Sequence, residues 1–317
     1  MIWDYLRELA LKCRKCSLSA KICQCIKVQK KAWRCEKYIV DAFARQIYEG
    51  NAAGVVLLDE ETELTDTDMQ ELAAAYGFSE TAFIYPFTSD TVRIRYFTPV
   101  CEVPLCGHAT IASFVLLTEK MMLGSSVCRL LTRDETLRVT IQDGIIWMEM
   151  GTPRIEKTLD PMICSRLCDA YHIKPEDLHA SLVPQIVQAG ISDIQFPLKD
   201  KNVLMRAKQD PETVLRITRE LGGVGVHMFC LEDKKDSEIT AYCSNFGPFF
   251  GIDEECATGT ANAGLTWYLL QHGIINSEDT CLFLQGEHMG RPSQIRSRIL
   301  TKENNQLVLI GGSGCVR

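Results

Sequence analysis

The sequence predicts an α+β fold made of two similar domains related by a pseudo-two-fold axis. The main observation is a repeated segment. Residues 104–117 and residues 255–270 both lead from a glycine with small or hydroxyl-bearing neighbours into an apolar stretch of helical length. The two glycines, Gly107 and Gly259, lie 152 residues apart in a chain of 317. Many short strands with one long apolar helix in each half favour domains whose sheet wraps a central helix.

In the first half, alternation between apolar and polar residues predicts the strands. Residues 50–54 are predicted to form a turn. Residues 64–68 cap a helix that runs from Met69 to Tyr76 and ends at Gly77. The segments read as strands, or as leading into one, are residues 38–43, 55–58, 79–84, 92–97, 137–141 and 145–150.

The second half follows the same plan after a boundary at residues 151–153. It has strands, a helix over Pro211–Leu221, further strands, and then the second glycine loop with its helix. Strand and helix do not alternate regularly along the chain, which disfavours a doubly wound parallel sheet.

The composition restricts the possible partners. The formal net charge is −7, but residues 1–36 carry nine Lys/Arg against three Asp/Glu, so the remainder sums to −13. An acidic main body argues against nucleic-acid binding. No apolar run approaches the length of a membrane span, and no secretory signal is visible. The fifteen cysteines are odd in number and scattered, which favours reduced thiols and a cytoplasmic location.

Residues 1–36 form a basic, cysteine-containing extension. Its cysteines lie at positions 13, 16, 23, 25 and 35, a spacing unlike the paired ligands of structural zinc sites. A weakly ordered basic helix or tail is therefore preferred to a zinc site, and we expect the body to fold without it.

The repeated loops also predict a ligand. The start of a helix presents unpaired backbone N–H groups and the positive end of the helix dipole, so two facing starts would hold a carboxylate. The six histidines offer no metal set with the usual spacing, and no phosphate-binding glycine loop is present. The sequence therefore predicts acid–base work by side chains, with neither metal nor cofactor.

Seven segments occur together along the chain: residues 38–43, 50–51, 79–83, 95–99, 105–110, 255–261 and 285–293. In content and order they resemble a known family, the PhzF-like isomerases of phenazine biosynthesis, which belong to the diaminopimelate epimerase fold. The resemblance covers residues 38–317. It implies barrel-like, mostly antiparallel domains with a site between them, and a homodimer. The domains would cover residues 37–152 and 153–306, and a final strand near residues 307–317 would return to the first domain.

The resemblance also assigns the site. From the residues alone, Glu80 is either a solvated turn carboxylate or an acid–base group, and the resemblance implies that it is the catalytic residue. His108 is a substrate binder or proton partner at the family's histidine position. Glu255 replaces the usual aspartate, and Thr260 replaces the usual serine. The expected substrate-binding residues are Asn51, Gly107, His108, Glu255, Thr258, Gly259 and Thr260.

We therefore predict a cofactor-independent isomerase in which Glu80 moves a proton between carbons of a small carboxylate-bearing metabolite. One alternative is an amino-acid epimerase or racemase that uses Cys106. Two-base epimerases of this fold need one thiol from each half, and Thr258 stands at the second thiol position. The other alternative is a metabolite-binding protein without turnover, which the presence of Glu80 disfavours.

Overall fold

The two halves of the chain repeat one plan, and the predicted α+β fold class is confirmed. The computed structural model describes residues 35–234, 237–302 and 305–317. The predicted extension over residues 1–36, with four of its five cysteines, lies outside the described residues except for its last two positions. Glu36–Arg317 forms one compact unit, and the proposed domain limits at residues 152 and 306 stay predictions.

The described part of the first half, from residue 35 onwards, contains two helices, α1 (Asp66–Tyr76) and α2 (Gly107–Glu119). Thr65 caps α1 by accepting a hydrogen bond from the Asp68 backbone, and Gly77 ends it in the left-handed conformation at φ 68°. The strands are β1 (Cys35–Ala42), β2 (Asn51–Leu58), β3 (Thr81–Ile84), β4 (Thr91–Phe97), β5 (Glu102–Val103), β6 (Val127–Leu131), β7 (Thr136–Gln142) and β8 (Ile145–Glu149).

The second half adds an outer layer of helices to the same plan. Its helices are α3 (Pro161–Ala170), α4 (Lys201–Arg206), α5 (Pro211–Leu221) and α6 (Gly259–Gln271). Its strands are β9 (Arg154–Thr158), β10 (Gln185–Ala189), β11 (Ile191–Pro197), β12 (Gly225–Leu231), β13 (Ala241–Gly247), β14 (Ile252–Glu255), β15 (Thr280–Gln285), β16 (Ser293–Lys302), β17 (Asn305–Gly312) and β18 (Gly314–Val316).

One helix in each half is surrounded by strands. Helix α2 packs against β2, β3, β8 and β18, and α6 packs against β10, β11, β16 and β17. Most side chains of both helices are buried, as expected for a helix that is apolar on every face. This arrangement is the one predicted from the two apolar repeats.

The last strands of the chain connect the two halves. Strand β17 pairs antiparallel with β16 on one side and with β8 on the other, with Leu309 opposite Glu149. Strand β18 then pairs with β1, with Val316 opposite Val40. Hydrogen bonding therefore runs continuously from the second half into the first.

Two local predictions were wrong. Residues 51–54 are not in a turn but form the fully buried start of β2, because the turn ends at Gly50, where φ is 68°. Helix α3, which is capped by Asp160 and has Pro161 in its first turn, was not predicted from the sequence. Its apolar side chains pack on the outer face of the sheet, in a second hydrophobic cluster.

Two further observations concern membrane-spanning helices and the state of the cysteines. Within the residues that the structure describes, no helix combines the length and apolar character that a membrane crossing requires. Each cysteine described between residues 35 and 317 is a free thiol, and most of them are buried.

Candidate active site

The two glycine loops meet in the structure, so the starts of α2 and α6 face one another. A Cβ atom added to Gly107 would lie 3.9 Å from the Cα atom of Gly259. An extended residue precedes each helix, Cys106 before α2 and Thr258 before α6, and neither side chain caps its helix with a hydrogen bond. The predicted approach of the two glycines is confirmed.

These helix starts have the properties of an anion site. Neither helix has an acidic residue in its first turn, so the positive end of each dipole is not neutralised from within the helix. The turn at Gly190 approaches the start of α6, and a Cβ atom at that position would lie 3.6 Å from the Thr260 methyl group. Gly190 has φ 84°, a conformation that glycine adopts without strain.

A row of acid–base groups crosses from the first half to the second. Glu80 is the residue immediately before β3, and His108 is the second residue of α2. The Nε2 atom of His108 lies 3.4 Å from Glu80 Oε2, and its Nδ1 atom lies 3.7 Å from Glu255 Oε1. The imidazole, which is 4% exposed, therefore lies between one carboxyl group from each half.

Glu255 ends β14 and is held by two neighbours. Asn51 Nδ2 donates a hydrogen bond to Glu255 Oε1 at 3.1 Å, and Thr258 Oγ1 donates to Oε2 at 2.6 Å. Burial, reinforced by the negative charge of Glu80, raises the pKa of Glu255 to about 8. Glu255 is consequently neutral near pH 7 and can donate a proton or a hydrogen bond.

The other two titratable groups at the start of α2 are also held in neutral form. Burial lowers the pKa of His108; the negative charge of Glu80 opposes this effect, and the charge of Arg291 adds to it. Burial raises the pKa of the Cys106 thiol well above its usual value, and the charge of Glu80 adds to this effect. A neutral thiol is a poor carbon base, so the charge state disfavours a thiol-based epimerase.

The Glu80 side chain is partly exposed and faces the imidazole of His108. Its side chain is 17% exposed, yet within the described residues its Oε2 atom is buried and has no hydrogen-bond partner. Ser79 Oγ also lies 3.4 Å from His108 Nε2, so the Ser79–Glu80 segment faces the imidazole. A buried oxygen without a partner is costly unless a ligand or water completes it.

Gln285 is a residue of the site that sequence reasoning missed. Its Nε2 atom donates to the Glu255 carbonyl at 2.7 Å and to Thr258 Oγ1 at 3.1 Å. Its Oε1 atom accepts from the Thr258 backbone N–H at 3.3 Å and from Asn262 Nδ2 at 2.9 Å. In the sequence, Gln285 appears only as part of a family motif. No local pattern shows that this residue, at the end of β15, hydrogen-bonds to Glu255, which lies 30 positions earlier.

The expected site residues thus gather around the two helix starts. Asn51 bridges the halves, because its Nδ2 atom also donates to the Ala257 carbonyl at 3.1 Å. Cys256 faces away, with its thiol donating to the Gly50 carbonyl at 3.2 Å. The site also contains one possible metal-ligand set, since ligand atoms of Glu80, Cys106 and His108 lie within 4.8 Å of one another.

Fold and site together define a two-half α+β protein with an acid–base site between two uncapped helix starts. Comparison with known proteins agrees with this class. The family model for phenazine biosynthesis-like proteins (PhzC–PhzF) matches residues 40–317. The uncharacterized isomerase YddE of Escherichia coli O157:H7 is 32% identical over 287 residues, covering 88% of this chain and 95% of that protein. The chain therefore belongs to the PhzC–PhzF family.

Solved structures show the same fold. A PhzF-family protein from Bacillus anthracis superposes with a TM-score of 0.80 at 24% identity, covering 88% of this chain and 96% of that one. A probable proline racemase from Agrobacterium radiobacter K84, solved with bound carbonate, gives a TM-score of 0.57 at 11% identity, with 89% and 90% covered. At these identities the likeness concerns the fold, and the roles of individual residues rest on the geometry described above.

Proposed function

We propose that the protein is a cofactor-independent isomerase in which Glu80 moves a proton between two carbons of a small carboxylate-bearing metabolite. The observation that carries the proposal is the position of Glu80. Its unpartnered oxygen lies 3.4 Å from His108, at the start of α2 and opposite the start of α6. Membership of a family whose curated relatives are named isomerases supports the same reaction class.

In the proposed reaction, the substrate carboxylate binds at the starts of α2 and α6, against Gly107, His108, Gly259 and Thr260. The Glu80 carboxylate removes a proton from a carbon next to a carbon–carbon double bond. The electron pair left on that carbon moves into the neighbouring π-system. The protonated Glu80 then returns the proton to the other end of that system, so the double bond shifts and no external reductant or oxidant is needed.

The surrounding groups stabilise the charge that develops during this transfer. The helix dipoles and backbone N–H groups favour the delocalised anion. Neutral Glu255 can donate a hydrogen bond to it, because its pKa of about 8 keeps the proton in place near pH 7. Neutral His108 separates the two carboxyl groups and can donate from either ring nitrogen, depending on its tautomer.

The test is solvent deuterium incorporation into a library of small carboxylates, followed by mass spectrometry. For a compound that exchanges, Glu80→Gln keeps the size of the side chain but removes the base. Exchange should then fall by about 10²–10⁴-fold with little change in ligand affinity. Glu71→Gln, an exposed carboxyl group on α1, is the matched control and should exchange like the wild type.

The same experiment separates the alternatives. Cys106→Ser should lower exchange far less than Glu80→Gln does, because Thr258 occupies the position of a second thiol. If Cys106→Ser abolishes exchange at the α-carbon of an amino acid and Glu80→Gln does not, the protein is an epimerase. If no carboxylate that binds shows exchange, the protein binds a metabolite without turnover.

We also propose that the protein works in the cytoplasm as a homodimer. Free thiols at each described cysteine are consistent with a reducing compartment. Met121, Met122 and Val127 expose 89%, 42% and 37% of their surface along one short segment after α2. Apolar side chains exposed together favour an interface between copies.

A further inference from the structure

A second cavity, of about 320 Å³, lies where the two halves of the chain meet. The β7–β8 turn of the first half and strands β15 and β16 of the second half line it. A water molecule takes up about 30 Å³ in the liquid, so the cavity has room for a small metabolite. The lining includes Gln142, Asp143, Trp147, Thr280, Arg296 and Arg298.

This cavity lies on the outer face of the sheet, away from the candidate active site. On β8, a Cβ atom added to Gly107 would lie 3.8 Å from Met148 Cε, so Met148 points towards the start of α2. On β17, Ile310 points towards the start of α6 in the same way, 3.6 Å from a Cβ atom added to Gly259. Trp147 precedes Met148 and therefore points to the opposite face, because successive residues of a strand alternate. The cavity thus lies behind the two strands that contact both helix starts.

Arg298 is held in a fixed position in this cavity. Its guanidinium carbon lies 4.1 Å from the centre of the Trp147 ring, and its Nη2 atom donates to Gln142 Oε1 at 3.2 Å. The indole can lie across β17 because Gly311 has no side chain there, and a Cβ atom would lie 2.5 Å from the ring. A guanidinium group fixed by stacking loses little side-chain entropy when a ligand binds to its remaining N–H groups.

Arg296 provides a second guanidinium group beside the first. It lies two residues before Arg298 on the same face of β16, so the two Cα atoms are about 7 Å apart by strand geometry. Its side chain is half-buried, and within the described residues it forms neither an ion pair nor a side-chain hydrogen bond. On the neighbouring strand, Thr280 pairs with Arg298 and adds a hydroxyl group to the lining.

The acidic groups on this face leave the two positive charges without a counter-charge. Glu149 points to the same face as Trp147, but its carboxylate is paired with Lys302 at 2.6 Å. Asp143 is exposed at the β7–β8 turn, and in the described part of the chain it forms no ion pair with an arginine of the cavity. Two half-buried or stacked arginines without a carboxylate therefore face one cavity, in a body that is acidic as a whole.

We propose that Arg296 and Arg298 form a second ligand site, separate from the active site, that binds a phosphate group. Two guanidinium groups present paired N–H donors that match the oxygens of a phosphate, and their charge of +2 suits its charge of about −1.5 to −2 near pH 7. The Thr280 hydroxyl can donate a further hydrogen bond. A phosphate compound bound here contacts the β7–β8 turn and strands β15 and β16, and so joins the two halves from outside.

The test is isothermal titration calorimetry of the full-length protein with inorganic phosphate and with glycerol 3-phosphate, a phosphate monoester. Arg296→Gln and Arg298→Gln should each weaken binding at this site at least about tenfold, the loss expected for one charge-assisted interaction. Arg216→Gln removes the same charge from the exposed face of α5 and is the matched control, which should bind like the wild type. Asp143→Asn should tighten binding by removing a negative charge from the cavity, a gain that misfolding cannot produce.

Phosphate bound at the starts of α2 and α6, or on the basic extension, contributes equally to every variant, so the comparison isolates this cavity. Tighter binding of the monoester than of inorganic phosphate assigns the site to a phosphorylated metabolite, and equal binding assigns it to free phosphate. The proposal is overturned if both arginine variants bind the two compounds as the wild type does and Asp143→Asn brings no gain. These readouts need no turnover, so they decide the phosphate site even if the isomerase proposal fails.

Discussion

Replacing Glu255 by glutamine should make the protein more stable above neutral pH. The carboxyl group is held by Asn51 and Thr258 and carries a pKa of about 8, against 4.5 for the ordinary group. Its folded-state pKa is raised, so the folded protein keeps a proton that the unfolded chain releases. Wild-type stability is therefore undiminished below pH 4.5 and falls as the pH rises towards 8.

The size of the effect follows from the two pKa values. At about 1.4 kcal/mol for each unit, the carboxyl group costs the folded state about 3 kcal/mol at pH 7 and about 5 kcal/mol at pH 9. Glutamine has nearly the same shape and does not ionise. The free energy of unfolding of Glu255→Gln should therefore equal that of the wild type near pH 4 and exceed it by these amounts at higher pH.

Urea unfolding at pH 4, 7 and 9 measures this difference directly. Asp253→Asn, an exposed carboxyl group on the same strand, is the control and should show no such pH-dependent gain. A difference between Glu255→Gln and the wild type that stays constant from pH 4 to pH 9 would refute the assignment of a neutral, buried Glu255.

Two further predictions concern Gln285, which hydrogen-bonds to residues of the site, and the homodimer. Gln285→Leu removes the side chain that hydrogen-bonds to the Glu255 carbonyl, the Thr258 N–H and the Asn262 amide. It should therefore lower the free energy of unfolding by about 3–5 kcal/mol. The control Gln271→Leu, at the exposed end of α6, should change the free energy of unfolding little. For the homodimer, light scattering at micromolar concentration should give twice the chain mass of 35.7 kDa, and a monomer mass would contradict the proposal.

The parts of the fold that the sequence predicted are those set by local chemistry. The cap at Thr65, the left-handed Gly77 and the apolar stretches after Gly107 and Gly259 each determine backbone geometry within a few residues. Asn51 was assigned to a turn because glycine and alanine surround it, yet it begins β2, which pairs with β3 from Gly54 onwards. Such pairing depends on residues 27 or more positions away, which no local pattern reveals.

The same difference between local and long-range effects applies to the candidate site. Its loops could be located from the repeated helix start, and the resemblance to a family assigned Glu80 and His108. The charge states could not be predicted, because the pKa of Glu255 depends on burial and on the carboxylate of Glu80, 175 positions away in the chain. The role of Gln285 and the possible metal set depend on tertiary contacts in the same way.

Burying the acid–base groups of the site costs free energy of folding, and contacts elsewhere in the structure offset part of it. Glu80, His108 and Glu255 are largely buried and include an oxygen without a partner, and the burial of such groups costs free energy. The C-terminal strands stabilise the connection between the halves, because β17 bonds to both and Arg317 binds the fully buried Asp41 on β1 with two hydrogen bonds. The last strands of the chain therefore connect the two halves whose helix starts form the site.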